Sequence, residues 1–155
     1  MSEERRYSFE FFPTKTEAGH EKLMAVARQL AGYNPDFFSC TYGAGGSTRD
    51  RTLNTVLQLE HEVKVAAAPH LSCVGDSKAD LRGLLSEYQA AGIKRIVALR
   101  GDLPSGMGMA SGELRYASDL VEFIRQESGD HFHLEVAAYP EMHPQAQNFE
   151  ADLSN

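Results

Sequence analysis

Short apolar runs alternate along this chain with longer segments of helical period. Residues 7–12 predict a first strand, which Pro13 stops. A helix is predicted from about residue 17, with Leu23, Val26, Ala27 and Leu30 along one buried face and Gly32 and Pro35 punctuating its end. Residues 37–42 predict the second strand, running into Gly43, Ala44, Gly45 and Gly46; the helix after it turns Leu53, Val56 and Leu57 inward. Residues 65–73 predict the third strand. Ser77 then caps a third helix, with Asp80 in a capping-box position and an apolar stripe of Leu81, Leu84, Leu85 and Tyr88. A fourth strand is predicted over 96–99, a fourth helix over 117–126 burying Leu120, Phe123 and Ile124, and a fifth strand over 133–139. A fifth helix is predicted to begin near Gln147.

Strict strand–helix alternation, with runs such as Val65, Ala66, Ala67 and Ala68, predicts a parallel sheet covered by helices, an α/β fold. A doubly wound sheet and a (β/α)8 barrel are both compatible with that pattern. Spacing favours the barrel: polar residues at the predicted strand ends, Glu10, Thr41, His70 and Arg100, are separated by 31, 29 and 30 residues. Barrel active sites are assembled from such strand ends. A barrel needs about 250 residues and eight strands, so the five strands predicted over residues 1–155 make a single, incomplete barrel domain.

Composition narrows the partners. A net charge of -7 leaves no basic excess to neutralise phosphates, so no nucleic-acid partner is expected. No apolar run of about 18 residues exists to span a membrane. The first six residues are acidic and then basic with no apolar segment behind them, unlike a secretory signal. Cys40 and Cys73 form no CxxC and are expected as free buried thiols in a reducing, cytoplasmic setting.

Three constellations carry candidate chemistry. Glu10 lies among Phe9, Phe11 and Phe12, and a carboxylate costly to bury ionised is suited to donating a proton; the alternative is a solvent-facing residue of an edge strand. Arg100, Gly101 and Asp102 put a guanidinium and a carboxylate at a strand end, with Gly101 allowing close approach of a ligand; a local ion pair is the alternative. The run from Gly43 to Thr48 offers amides at a helix start but fits no dinucleotide or P-loop pattern, and a plain tight turn explains it equally well. His70 and His143 are candidate ligand hydrogen-bonders. His131 and His133 lack supporting metal ligands, so no metal site is expected.

Five segments in order resemble one family: Ser8 to Pro13, Thr41 to Ala44, Ala68 to Leu71, Ala98 to Asp102, and Ala138 to Pro144. Together they resemble methylenetetrahydrofolate reductase of the bacterial single-barrel type, over residues 6 to 155. The resemblance implies an eight-stranded barrel with FAD across its C-terminal face, reduced by NADH or NADPH and then delivering hydride to methylenetetrahydrofolate. It implies that Glu10 is the general acid that opens the folate ring and that Asp102 is the carboxylate beside flavin and pterin. FAD contacts are implied at Thr41, Tyr42, Ala44, His70, Arg100, Gly101, Asp102, Tyr116, Ala117, Tyr139, His143, Ala146, Asp152 and Asn155. Thr14 departs from a second proline frequent in relatives, which affects only loop stiffness.

A full-length member is expected to be a homo-oligomer serving one-carbon metabolism and methionine synthesis. The alternative to an enzyme is a catalytically silent half barrel that acts only as a folding or assembly fragment. An aldolase-type barrel is disfavoured because Lys64 and Lys94 precede their strands. With five strands, Phe9, Phe11, Val136 and Ala138 are expected to border water, and the chain by itself to bind FAD poorly and lack activity.

Overall fold

The computed structural model describes residues 5–42, 46–101, 113–139, 141–142 and 146–153. Five strands, β1 (Ser8–Phe11), β2 (Phe37–Cys40), β3 (Ala67–Ser72), β4 (Arg95–Leu99) and β5 (His133–Val136), form one parallel sheet. They alternate with helices α1 (Glu17–Ala31), α2 (Gly46–Gln58), α3 (Lys78–Ala90), α4 (Ala117–Ser128) and α5 (Phe149–Leu153). Strand order in space follows order in sequence, β1-β2-β3-β4-β5. A doubly wound sheet reverses order at a switch point, and none occurs here, so the sheet is an open arc of a barrel.

Alternation along the strands divides the sheet into two faces. Phe11, Phe38, Cys40, Leu71, Ile96 and Ala98 are buried in the core with Leu23, Met24 and Ala27 of α1, Leu81 and Leu85 of α3, and Leu120 and Ile124 of α4. The opposite face carries Ser8, Glu10, Ser39, His70, Arg95, His133 and Glu135 and lines a concave space of about 470 Å³.

Local signals explain the helix starts. Thr16 has extended backbone angles and its side chain accepts from the Gly19 amide at 3.1 Å. Ser77 and Asp80 form the expected reciprocal capping box at the head of α3. After α2 the chain continues through a π-helical turn, Leu59–Val63, and stops where Lys64 takes a positive φ of 64°.

Several expectations need correction. Strands β1, β2, β3 and β5 are shorter than the apolar runs that suggested them, β3 beginning at Ala67 rather than at Val65. In α1 the buried stripe is Leu23, Met24 and Ala27, and Val26 is exposed. Val136 and Ala138 do border water, but Phe11 is buried, its ring 5.2 Å from Phe38 in an edge-on contact, and Phe9 is half-buried. Helix packing on the apolar face covers β1 even though its outer edge pairs with no strand among the described residues.

Candidate active site

The centre of the concave face is built by three strands. Glu10 pairs in register with Ser39, Ser39 with Ala68, and His70 sits two residues farther along β3, opposite Val97. This brings the His70 Nε2 to 3.3 Å from Glu10 Oε2. Two residues singled out in the sequence, sixty positions apart, are thus neighbours. His70 is buried, and burial pushes its imidazole below the ordinary histidine range while the Glu10 charge pulls it back.

Glu10 itself is not buried. Its side chain is 51% exposed, because Ser8 and Glu10 alternate with Phe9 and Phe11 and so face the open concave side. The burial argument for its acidity therefore does not operate among the described residues. Toward the N-terminal end of the same face, Arg95 pairs with Glu135, lies 4.6 Å from the Phe37 ring centroid, and shares Glu135 with His133 at 3.1 Å. His131 approaches the Ile93 carbonyl at 3.1 Å.

The remaining candidates lie at the C-terminal end of the sheet. Thr41 follows β2, its amide donating to the Phe11 carbonyl and its carbonyl accepting from the Thr52 hydroxyl, each at 2.9 Å. The Tyr42 hydroxyl donates to Asp76 Oδ2 at 3.0 Å, and Arg49 of α2 pairs with the other Asp76 oxygen. Burial, then the Asp76 charge, push the Tyr42 phenol up to about 12. Its hydroxyl is therefore a committed donor to Asp76.

Arg100 and Gly101 follow β4. Gly101 has φ +83°, and a Cβ there would stand 2.0 Å from Ser72 Oγ. Tyr116, 59% exposed, caps α4, and Ala117 is the first residue of that helix. Tyr139 is 53% exposed beyond β5, and Ala146 is half-buried. Ala44, Asp102, His143 and Asn155 lie outside the described residues, and Asp152 is described only as backbone in α5.

Arg49, Asp76 and Ser72 were not singled out in the sequence, and Cys73 only as a free buried thiol, as it is found. Their partners are 27 to 43 residues away, joined only by the crossovers, and no spacing rule signals them. No helix among the described residues is long and apolar enough to cross a membrane.

The comparisons agree with the motif order. Residues 1–155 match the family model described as methylenetetrahydrofolate reductase. The chain is 44% identical over 148 residues to the 5,10-methylenetetrahydrofolate reductase of Pectobacterium carotovorum subsp. carotovorum, covering 96% of this chain and 48% of that one. It is 42% identical over 148 residues to the protein of the same name from Escherichia coli (strain K12), with the same coverage, 96% and 48%. Against methylenetetrahydrofolate reductase (NADH) 1 of Arabidopsis thaliana it is 40% identical over 141 residues, 89% of this chain and 24% of that one. The chain spans about half the length of the bacterial relatives it matches. A match over all its residues, on a parallel sheet whose sequential order suits a barrel, means that the chain belongs to the methylenetetrahydrofolate reductase family.

Proposed function

We propose that this chain supplies the N-terminal part of a cytoplasmic, homo-oligomeric enzyme that reduces methylenetetrahydrofolate to methyltetrahydrofolate with NADH or NADPH through FAD. The observation that carries the reading is Glu10, half exposed on an open concave face, with the His70 imidazole 3.3 Å away. A carboxyl group placed there is free to reach a substrate nitrogen, as a general acid requires.

The donor set suits a large, partly aromatic, anionic group. Exposed Tyr116 and Tyr139 offer ring faces, Arg100 offers a cation, and the N-terminus of α4 follows Tyr116 directly. Bound there, FAD would supply the hydride transfer between nicotinamide and folate. Glu10 holds a proton for the folate ring nitrogen whose C–N bond must break, and His70 fixes the neighbouring edge of the carboxyl group. Asp102 is assigned by resemblance to the stabilisation of the cationic folate that ring opening leaves.

Glu10→Gln in the flavin-loaded, full-length enzyme is expected to slow the folate half-reaction by about 10²–10⁴-fold, while reduction of flavin by the nicotinamide stays near wild type. Stopped-flow measurement of the two half-reactions decides it. Equal losses in both would remove Glu10 from the role of acid.

A further inference from the structure

The carbonyl oxygen of Arg100 accepts from three donors: the Val74 amide at 3.1 Å, the Ser72 hydroxyl at 3.0 Å and the Cys73 thiol at 3.4 Å. A carbonyl has two lone pairs, and strand pairing asks it for one partner. The peptide between Arg100 and Gly101 is thus held from β3 more firmly than the sheet requires. The next residue shows where that grip leads. Gly101 turns the chain with φ +83°, in the region glycine favours, and Ser72 Oγ fills the space that a side chain at 101 would need. Ser72 therefore holds the carbonyl before the turn and excludes any larger residue from the turn itself.

Cys73 extends the grip across the fold. Its single S–H is shared between the Arg100 carbonyl and the Tyr116 carbonyl, 3.5 Å away at the head of α4. One buried side chain so ties the exit of β4 to the entrance of α4. Burial pushes the Cys73 thiol up, which keeps it protonated and able to donate at neutral pH.

We infer that Ser72 and Cys73 are positioning residues, which set the turn from which Arg100, Gly101 and Tyr116 meet the flavin by gripping the Arg100 and Tyr116 carbonyls. The inference rests on the proposed flavin reading for its ligand, whereas the grip itself is measurable with no ligand present.

The test follows the Arg100 carbonyl carbon by NMR in the isotope-labelled chain, since hydrogen bonds to the oxygen move that resonance downfield. Ser72→Ala is expected to move it upfield with α1 resonances unchanged, and Ser72→Thr, which keeps the hydroxyl, to restore it. Cys73→Ala provides a second, independent release of the same carbonyl should Ser72→Ala fail to fold. FAD titrated into the full-length enzyme carrying each change is expected to bind about five- to tenfold more weakly to both alanine variants, the scale of one net hydrogen bond, and normally to Ser72→Thr. An Arg100 resonance unmoved in both alanine variants overturns the grip. A moved resonance with wild-type FAD affinity overturns the positioning role. If FAD binds none of the full-length proteins, wild type included, the flavin reading fails, and the carbonyl resonance still decides the grip.

Discussion

Burial keeps the His70 imidazole neutral near physiological pH, and this has a consequence for stability. Its proton affinity is lower in the folded chain than in the unfolded one, so the unfolded state takes up the extra proton as pH falls below the ordinary histidine value of 6.5. Stability is therefore expected to be fully present above that value and to drop as pH falls through the range below it, a drop that His70→Gln should flatten. Urea midpoints across that range measure it, and parallel curves for the two proteins would remove His70 as the cause. Asp76 makes a second residue-level case, because it serves two partners from a largely buried position. Asp76→Ala leaves the Tyr42 hydroxyl without its acceptor and Arg49 without its counter-charge, and is expected to cost about 1–3 kcal/mol in chemical denaturation. A loss under about 0.5 kcal/mol would mean that solvent replaces the network. Sequence reading found Glu10 and His70 through their strand-end positions and left Glu10 either enclosed by its aromatic neighbours or facing solvent; the period of two decides for the exposed side. Asp76 and Arg49 were illegible for another reason. An ordinary Asp in a loop and an ordinary Arg on a helix become a buried pair only through the crossovers.

Local chemistry marks the helix starts more sharply than the strand ends. At the head of α1 the Thr16 side chain accepts from the Gly19 amide, so Thr16→Ala is expected to destabilise the chain by about 1 kcal/mol and Thr16→Ser to restore most of it. The check is a shift in denaturation midpoint with an unchanged slope; equal stability of the alanine and serine variants would dismiss the cap. Caps are legible because donor and acceptor lie within a few residues of each other. The same holds for the α3 and α4 stripes, whose members are buried as the spacing predicts. Strand ends were less legible, since an apolar run continues into the turn after pairing has stopped, as at Val65 and Cys73 around β3. In α1 the spacing placed Val26 on the buried face, whereas Met24 is buried and Val26 exposed, because the sheet decides which side of the helix faces it.

Across the molecule, strand–helix alternation foretold the parallel sheet, and the spacing of strand-end polar residues favoured the barrel with which its sequential order agrees. It could not tell how far the two sheet faces differ in cover, because that depends on which elements lie opposite. Among the described residues β1 and β5 each pair on one side, and the concave face lies open. A polypeptide of these 155 residues is accordingly expected to self-associate with rising concentration, and a charge at Val136 on the outer strand, Val136→Lys, to reduce it. Light scattering over a concentration series tests this, and a monomer at all concentrations would show that the edges are protected in another way. The sequential strand order also governs how such a molecule comes apart. Each βα unit leans mainly on the unit before it and the unit after it, so loss of β1 leaves the β3–β4 pairing intact, and loss of β5 leaves β2–β3 intact. Opening then proceeds inward from either end, with β3, flanked on both sides and almost wholly buried, the last to yield. Cooperativity in this fold is a property of neighbours, and a terminal unit can exchange partners without dissolving the centre.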